Sequence, residues 1–136
     1  MKNLLAAIAL FVGTATFASA QQIQVKNTTV DYGNVEKGSN GERLVEFTNA
    51  GNAPLLIENA QGSCGCTVPS YPKEPIMPGE TKSISIKYDT QRVGPFTKNV
   101  TLKTNSLDGK DVVITIKGTV LAEAPATPAK SKTFAN

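Results

Sequence analysis

Apolar and polar residues alternate one by one through most of this chain, and that rhythm admits few folds. In residues 111–121, Val112, Ile114, Ile116 and Val120 share one face, while Thr115, Lys117 and Thr119 share the other. A period of two belongs to a strand with one buried side. Residues 81–89 repeat it, with Ile84, Ile86 and Tyr88 opposing Ser83, Ser85 and Lys87. Residues 96–104 set Val100 and Leu102 against Asn99, Thr101 and Lys103. Residues 43–49 carry Val45 and Phe47 on one side, Leu55 with Ile57 begins another strand, and residues 28–32 form an early one. Turn-forming groups punctuate these runs: residues 49–54 (Asn-Ala-Gly-Asn-Ala-Pro), Pro78-Gly79, Gly94-Pro95 and Asp108-Gly109. About seven short antiparallel strands in about 100 residues predict an all-β, immunoglobulin-like sandwich. There is no tryptophan, and the two cysteines are too close in sequence to tie opposite sheets. Packed Val, Ile, Leu and Phe must therefore hold the sandwich, each worth roughly 1.5–3 kcal/mol when fully buried.

The two ends read differently from the middle. Met1-Lys2-Asn3 gives a positive start, residues 4–12 are unbroken apolar, and Ala18-Ser19-Ala20 places small residues where a signal peptidase cuts. Residues 1–20 are expected to be a signal peptide cleaved before Gln21. A membrane anchor would need about 20 apolar residues, and this run breaks at Gly13-Thr14 and Thr16. No transmembrane segment is expected after cleavage, and no cysteine sits at the new terminus for lipid attachment. Residues 122–136 are rich in Ala and Pro and lack periodicity, which predicts a disordered tail. Residues 21–121 then make one domain, exported to the periplasm or outside the cell. Loss of Lys2 leaves 13 basic against 11 acidic residues, formally +2. The signs alternate along the domain without a basic stripe, which argues against nucleic acid as a partner.

The chain has two cysteines, Cys64 and Cys66 around Gly65, and no histidine. That combination excludes much. Ser63 has no imidazole for a hydrolytic triad and no Ser-x-x-Lys context. Structural zinc wants four Cys or His ligands, and blue copper needs histidines. The expectation is no metal, no cofactor and no catalytic residue. Cu(I) held by two thiolates with Met77 is the weakest reading, since packing suits Met77 better. Glu42, Glu46 and Glu58 read as solvent-facing strand residues.

Several blocks together resemble a known family. They are residues 49–57 (Asn-Ala-Gly-Asn-Ala-Pro-Leu-Leu-Ile), Cys64-Gly65-Cys66-Thr67, residues 76–80 (Ile-Met-Pro-Gly-Glu), Gly94-Pro95-Phe96 and residues 100–105 (Val-Thr-Leu-Lys-Thr-Asn). The chain resembles an uncharacterised family of small exported bacterial immunoglobulin-like proteins, a domain of unknown function. The wider superfamily it is similar to contains the ASH, Hydin and major sperm protein domains. Those domains are generally scaffolding and interaction modules; the resemblance covers residues 25–121 and implies a fold and an exported address, and no reaction.

In an extended segment Cys64 and Cys66 point to one face, with Cα atoms about 6.6 Å apart, at the upper end of what a disulfide spans. Gly65 is expected to act as the hinge that closes the gap. A three-residue loop contributes only about 1.6 kcal/mol of chain entropy, so the bridge is a poor stabiliser. Two readings stand: a local disulfide that shapes a loop, and a labile pair that exchanges electrons with other thiols. Beyond it, Pro69, Pro72 and Pro75 stiffen the chain. The plain reading is a rigid crossover between sheets; the sharper one is a docking loop including Thr67, Tyr71, Pro72 and Lys73. The functional expectation is an exported, non-catalytic module that contacts a protein or envelope component, with thiol–disulfide exchange and Cu(I) binding as alternatives.

Overall fold

In the computed structural model, which describes residues 20–122, the alternating runs become strands. The expected leader and tail lie outside the described residues, apart from Ala20 and Ala122. The strands are β1 (Ile23–Val25), β2 (Thr29–Glu36), β3 (Glu42–Asn49), β4 (Ile57–Gly62), β5 (Thr67–Ser70), β6 (Thr81–Tyr88), β7 (Gly94–Thr104) and β8 (Val112–Leu121). They form two four-stranded sheets, ordered β1-β3-β6-β5 and β2-β8-β7-β4.

The sandwich is the one the alternation predicts, with two differences. Eight strands replace about seven, because β1 has three residues and β5 four, too few to show a period. The other difference is that β2 runs parallel to β8, while every other pairing of these strands is antiparallel. Parallel neighbours cannot be joined by a tight turn, and here the rest of the domain connects them.

Inward positions match the alternation closely. Phe47, Leu55, Ile76, Ile84, Ile86, Val100, Leu102, Ile114 and Ile116 are essentially inaccessible, and they form one core with the aromatic residues. The register of β2 shifts between Asp31 and Asn34, around Gly33 at φ 63°. That irregularity lets Tyr32 and Val35, three apart, both be buried. Tyr88 stacks on Phe96 with centroids 3.8 Å apart, and Tyr32 meets Phe96 edge-on at 5.4 Å. A Cβ on Gly118 would lie 2.8 Å from the Tyr32 Cβ and 2.9 Å from the Phe96 ring, so glycine clears room for the cluster.

Tyr32 also ties the sheets together. Its hydroxyl, from β2 in one sheet, donates to the Ile86 carbonyl of β6 in the other at 3.0 Å. Burial pushes the phenol up to about 12 from its ordinary 10. The folded state therefore holds this proton more tightly than the unfolded one, and its stabilisation is complete below pH 10 and is lost as pH rises through 12. Alkaline denaturation should show stability falling across that window. Tyr32→Phe should remove this step, while costing about 1 kcal/mol at neutral pH.

Candidate functional site: the sulfur turn at the sheet crossover

β4 and β5 are edge strands of different sheets, so the chain must cross the sandwich between them. It does so in residues 63–66, the segment that holds both cysteines. The turn is fastened on both sides. Ser63 N–H donates to the Asn99 carbonyl of β7 at 2.8 Å, and Asn99 N–H returns a bond to Ser63 Oγ at 3.1 Å. Thr67 N–H donates to the Cys64 carbonyl at 3.2 Å, and Asp89 N–H to the Cys66 carbonyl at 2.9 Å. One flank thus rests on each sheet.

Cys64 and Cys66 are joined by a disulfide with Cα atoms 5.3 Å apart. The chain turns here rather than extending, so the span lies within the ordinary range for a bridge. The sulfurs differ in access: Cys66 is 4% exposed, whereas Cys64 lies at the margin of the core. Thr67 Oγ1 sits 3.8 Å from each sulfur. Thr67 itself is only 3% exposed, which corrects its assignment to a docking surface: it lines the underside of the bridge.

The glycine that the turn requires is Gly62. A Cβ there would stand 2.1 Å from the Thr67 carbonyl oxygen, because the backbone doubles back against itself. At Gly65 a Cβ would meet nothing within 4 Å, and its φ lies outside the left-handed region. Neither space nor backbone angle demands glycine as a hinge at 65; its effect is to leave the bridge uncovered by a side chain.

The proline-rich stretch takes a different place from its expected one. It joins β5 to β6, neighbours in the same sheet, and the crossover between sheets belongs to the cysteines. Pro69 lies inside β5, where an edge position tolerates its missing N–H. Tyr71 is half-buried and its hydroxyl donates to the Glu58 carbonyl at 3.3 Å. Lys73 Nζ stands 3.5 Å from the Tyr71 ring centroid, a cation–π contact. Pro72 is partly buried beside them, while Lys73, Glu74 and Pro75 are exposed. The far end is pinned by Ile76, fully buried and paired with Leu55 through bonds of 2.7 and 2.9 Å. Met77 is 55% exposed, contrary to the packing expected of it.

Asn49, read from sequence only as part of a turn, anchors this stretch from below. It is fully buried. Its Nδ2 donates to the carbonyls of Ala53 and Ile76, both at 2.8 Å, and its Oδ1 accepts from Gly51 N–H at 3.0 Å. Its backbone pairs with Glu80 and Gly79.

A shallow groove between β2 and β3 is lined by Lys26, Asp31, Leu44 and Glu46. Lys26 bonds Glu46 at 2.8 Å, which holds the Glu46 carboxyl below its ordinary value. Glu42, Glu46 and Glu58 are all exposed. Among the described residues no three of Cys, Asp and Glu converge as metal ligands.

With four hydrogen bonds fastening the turn, the bridge adds little to the fold. Reducing the bridge should cost no more than about 1.6 kcal/mol in chemical denaturation. A loss above about 3 kcal/mol would mean that the bridge holds the crossover.

Comparison with known proteins places this geometry in a wider setting. A family model described as "Protein of unknown function (DUF1573)" matches residues 23–120. No curated protein matches the sequence. Among solved structures, a protein of unknown function from Porphyromonas gingivalis W83 is similar at TM-score 0.67 and 18% identity, over 79% of this chain and 51% of that one. The chain thus spans about half the length of that relative. The ASH/PapD-like domain 7 of human CEP192 is similar at TM-score 0.65 and 12% identity, over 90% of this chain and 100% of that one. The periplasmic chaperone SfaE is similar at TM-score 0.51 and 14% identity, over 79% and 61%. At such identities the likeness is one of fold.

Proposed function

We propose that this chain, which belongs to the DUF1573 family, is an exported, non-catalytic immunoglobulin-like module. It binds another protein or an envelope component through the surface over residues 64–75. The observation that carries this reading is a loop both exposed and immobilised. Lys73, Glu74 and Pro75 face solvent, while Tyr71 is bonded to Glu58 and Ile76 is locked against Leu55. A segment ordered before contact loses less entropy on binding. Val68, 59% exposed on the outer face of β5, adds apolar area beside it. Pro69 supplies no N–H, which makes β5 a poor template for strand addition, so recognition rests on side chains.

Export is supported by the signal-like residues 1–20 and by a disulfide, which persists in oxidising compartments. The similarity to a periplasmic chaperone fits an exported interaction role. Among the described residues no helix is long and apolar enough to cross a membrane.

A photo-crosslinking residue at position 73 and another at Thr97, exposed on β7 of the other sheet, test the surface directly in cells. The proposal expects one discrete adduct from position 73 and none from 97. Equal labelling from both, or labelling from 97 alone, overturns it.

A further inference from the structure

We infer that the Cys64–Cys66 bridge is a reversible oxidant of protein dithiols, attacked at Cys64 and releasing Cys66. This goes beyond docking and stands on separate observations.

The protein holds the sulfurs together without needing their bond. The bonds from Ser63 and Asn99 fix the entry to the turn against β7, and the Asp89-to-Cys66 bond fixes its exit beside the end of β6. Opening the bridge therefore leaves both thiols in one place, ready to close again. A pair that the scaffold positions can cycle; a pair that positions the scaffold cannot.

The two sulfurs are not equivalent. Cys66 is 4% exposed and packed in the core, while Cys64 is only partly covered. Gly65 is exposed and brings no side chain over them, with nothing within 4 Å of where its Cβ would stand. A thiolate arriving from solvent reaches Cys64 first. Thr67 Oγ1, 3.8 Å from each sulfur, is the hydroxyl placed to donate to the thiolate that departs.

The exchange balances without another reagent. A substrate thiolate attacks Cys64 Sγ; a bond forms between substrate and Cys64, and the Cys64–Cys66 bond breaks with its electron pair leaving on Cys66 Sγ, which takes a proton from water. The substrate's second thiolate then attacks the substrate sulfur of the mixed disulfide, closing the substrate disulfide and releasing Cys64 as a thiolate that is protonated in turn. The substrate dithiol has lost two electrons and two protons, and the cysteine pair has gained them.

The test uses the full chain in its oxidised form, reduced glutathione as the first probe and a reduced dithiol peptide as the second. After quenching with an alkylating agent, fragmentation mass spectrometry locates the mixed disulfide in the unmutated protein. Glutathione is expected on Cys64 in about tenfold excess over Cys66, as access dictates. The peptide should emerge oxidised, one equivalent per bridge, and the reduced protein should keep its β-sheet circular dichroism. Glutathione on Cys66, or equally on both, overturns the directionality. A bridge that stays closed in about 10 mM glutathione, or a reduced protein that unfolds, overturns the activity itself.

Discussion

Gly62→Ala is expected to lower the melting temperature by about 12–24 °C. The added carbon would stand 2.1 Å from the Thr67 carbonyl oxygen and 3.0 Å from its carbon. These are backbone atoms at the start of β5, which cannot swing aside as a side chain would. Either β4 or β5 must shift, and both are fixed by pairing, Gly62 opposite Val100 and Thr67 opposite Tyr88. A cost of at least about 3 kcal/mol follows for overpacking of this severity, and in a domain of about 100 residues each kcal/mol moves the midpoint by about 4–8 °C. Gly65→Ala is the control. Its side chain enters open space at an ordinary backbone angle, so stability should stay within about 0.5 kcal/mol of the parent. Calorimetry of the two variants separates a glycine that the fold requires from one that it merely tolerates.

Asn49→Ala should cost about 3–5 kcal/mol. The side chain satisfies the Ala53 and Ile76 carbonyls and the Gly51 N–H in a fully buried position, and removing it loses three bonds and strands their partners away from water. Ile76 is the far anchor of the proposed docking loop, so this variant should loosen residues 71–77 even at temperatures where the sandwich stays folded. Asn49→Asp makes a sharper test. It keeps the acceptor for Gly51 but aims a carboxylate at two carbonyl oxygens, which raises its folded-state pKa. Such a group binds its proton more tightly folded than unfolded, so the variant's stability should rise as pH falls toward 4. Urea melts at pH 7 and pH 4 would show the Asp variant recovering and the Ala variant unchanged in relative terms.

Residues such as Ile84, Ile86, Ile114 and Ile116 were legible because a strand's burial repeats every second position, and nothing outside the strand is needed to see it. Tyr32 and Val35 break that period, and only the irregularity around Gly33 explains how both are buried. The cysteine pair was legible as a bridged loop, since two sulfurs two residues apart have few alternatives. Its position was not. Three prolines looked like the rigid passage between sheets, but a passage is defined by which strands it joins, and β5 is too short and too proline-marked to be seen beforehand. The roles of Thr67, Gly62 and Asn49 are hidden in the sequence for one shared reason. The carbonyl that crowds Gly62 and the carbonyl that Asn49 reaches at Ile76 arrive only when the chain folds back, so their demands are tertiary. The sequence clues were slight: a glycine immediately before Ser-Cys, and an asparagine ending an apolar strand.

The sandwich presents the sulfur turn and does not depend on its bond. Amide hydrogen exchange of Ser63, Thr67, Asp89 and Asn99, followed in oxidised and in reduced protein, reports that independence residue by residue. Protection of these four amides within about tenfold between the two states is the predicted result. Exchange at unfolded rates on reduction, while the amides of β3, β6, β7 and β8 remain protected, would contradict it.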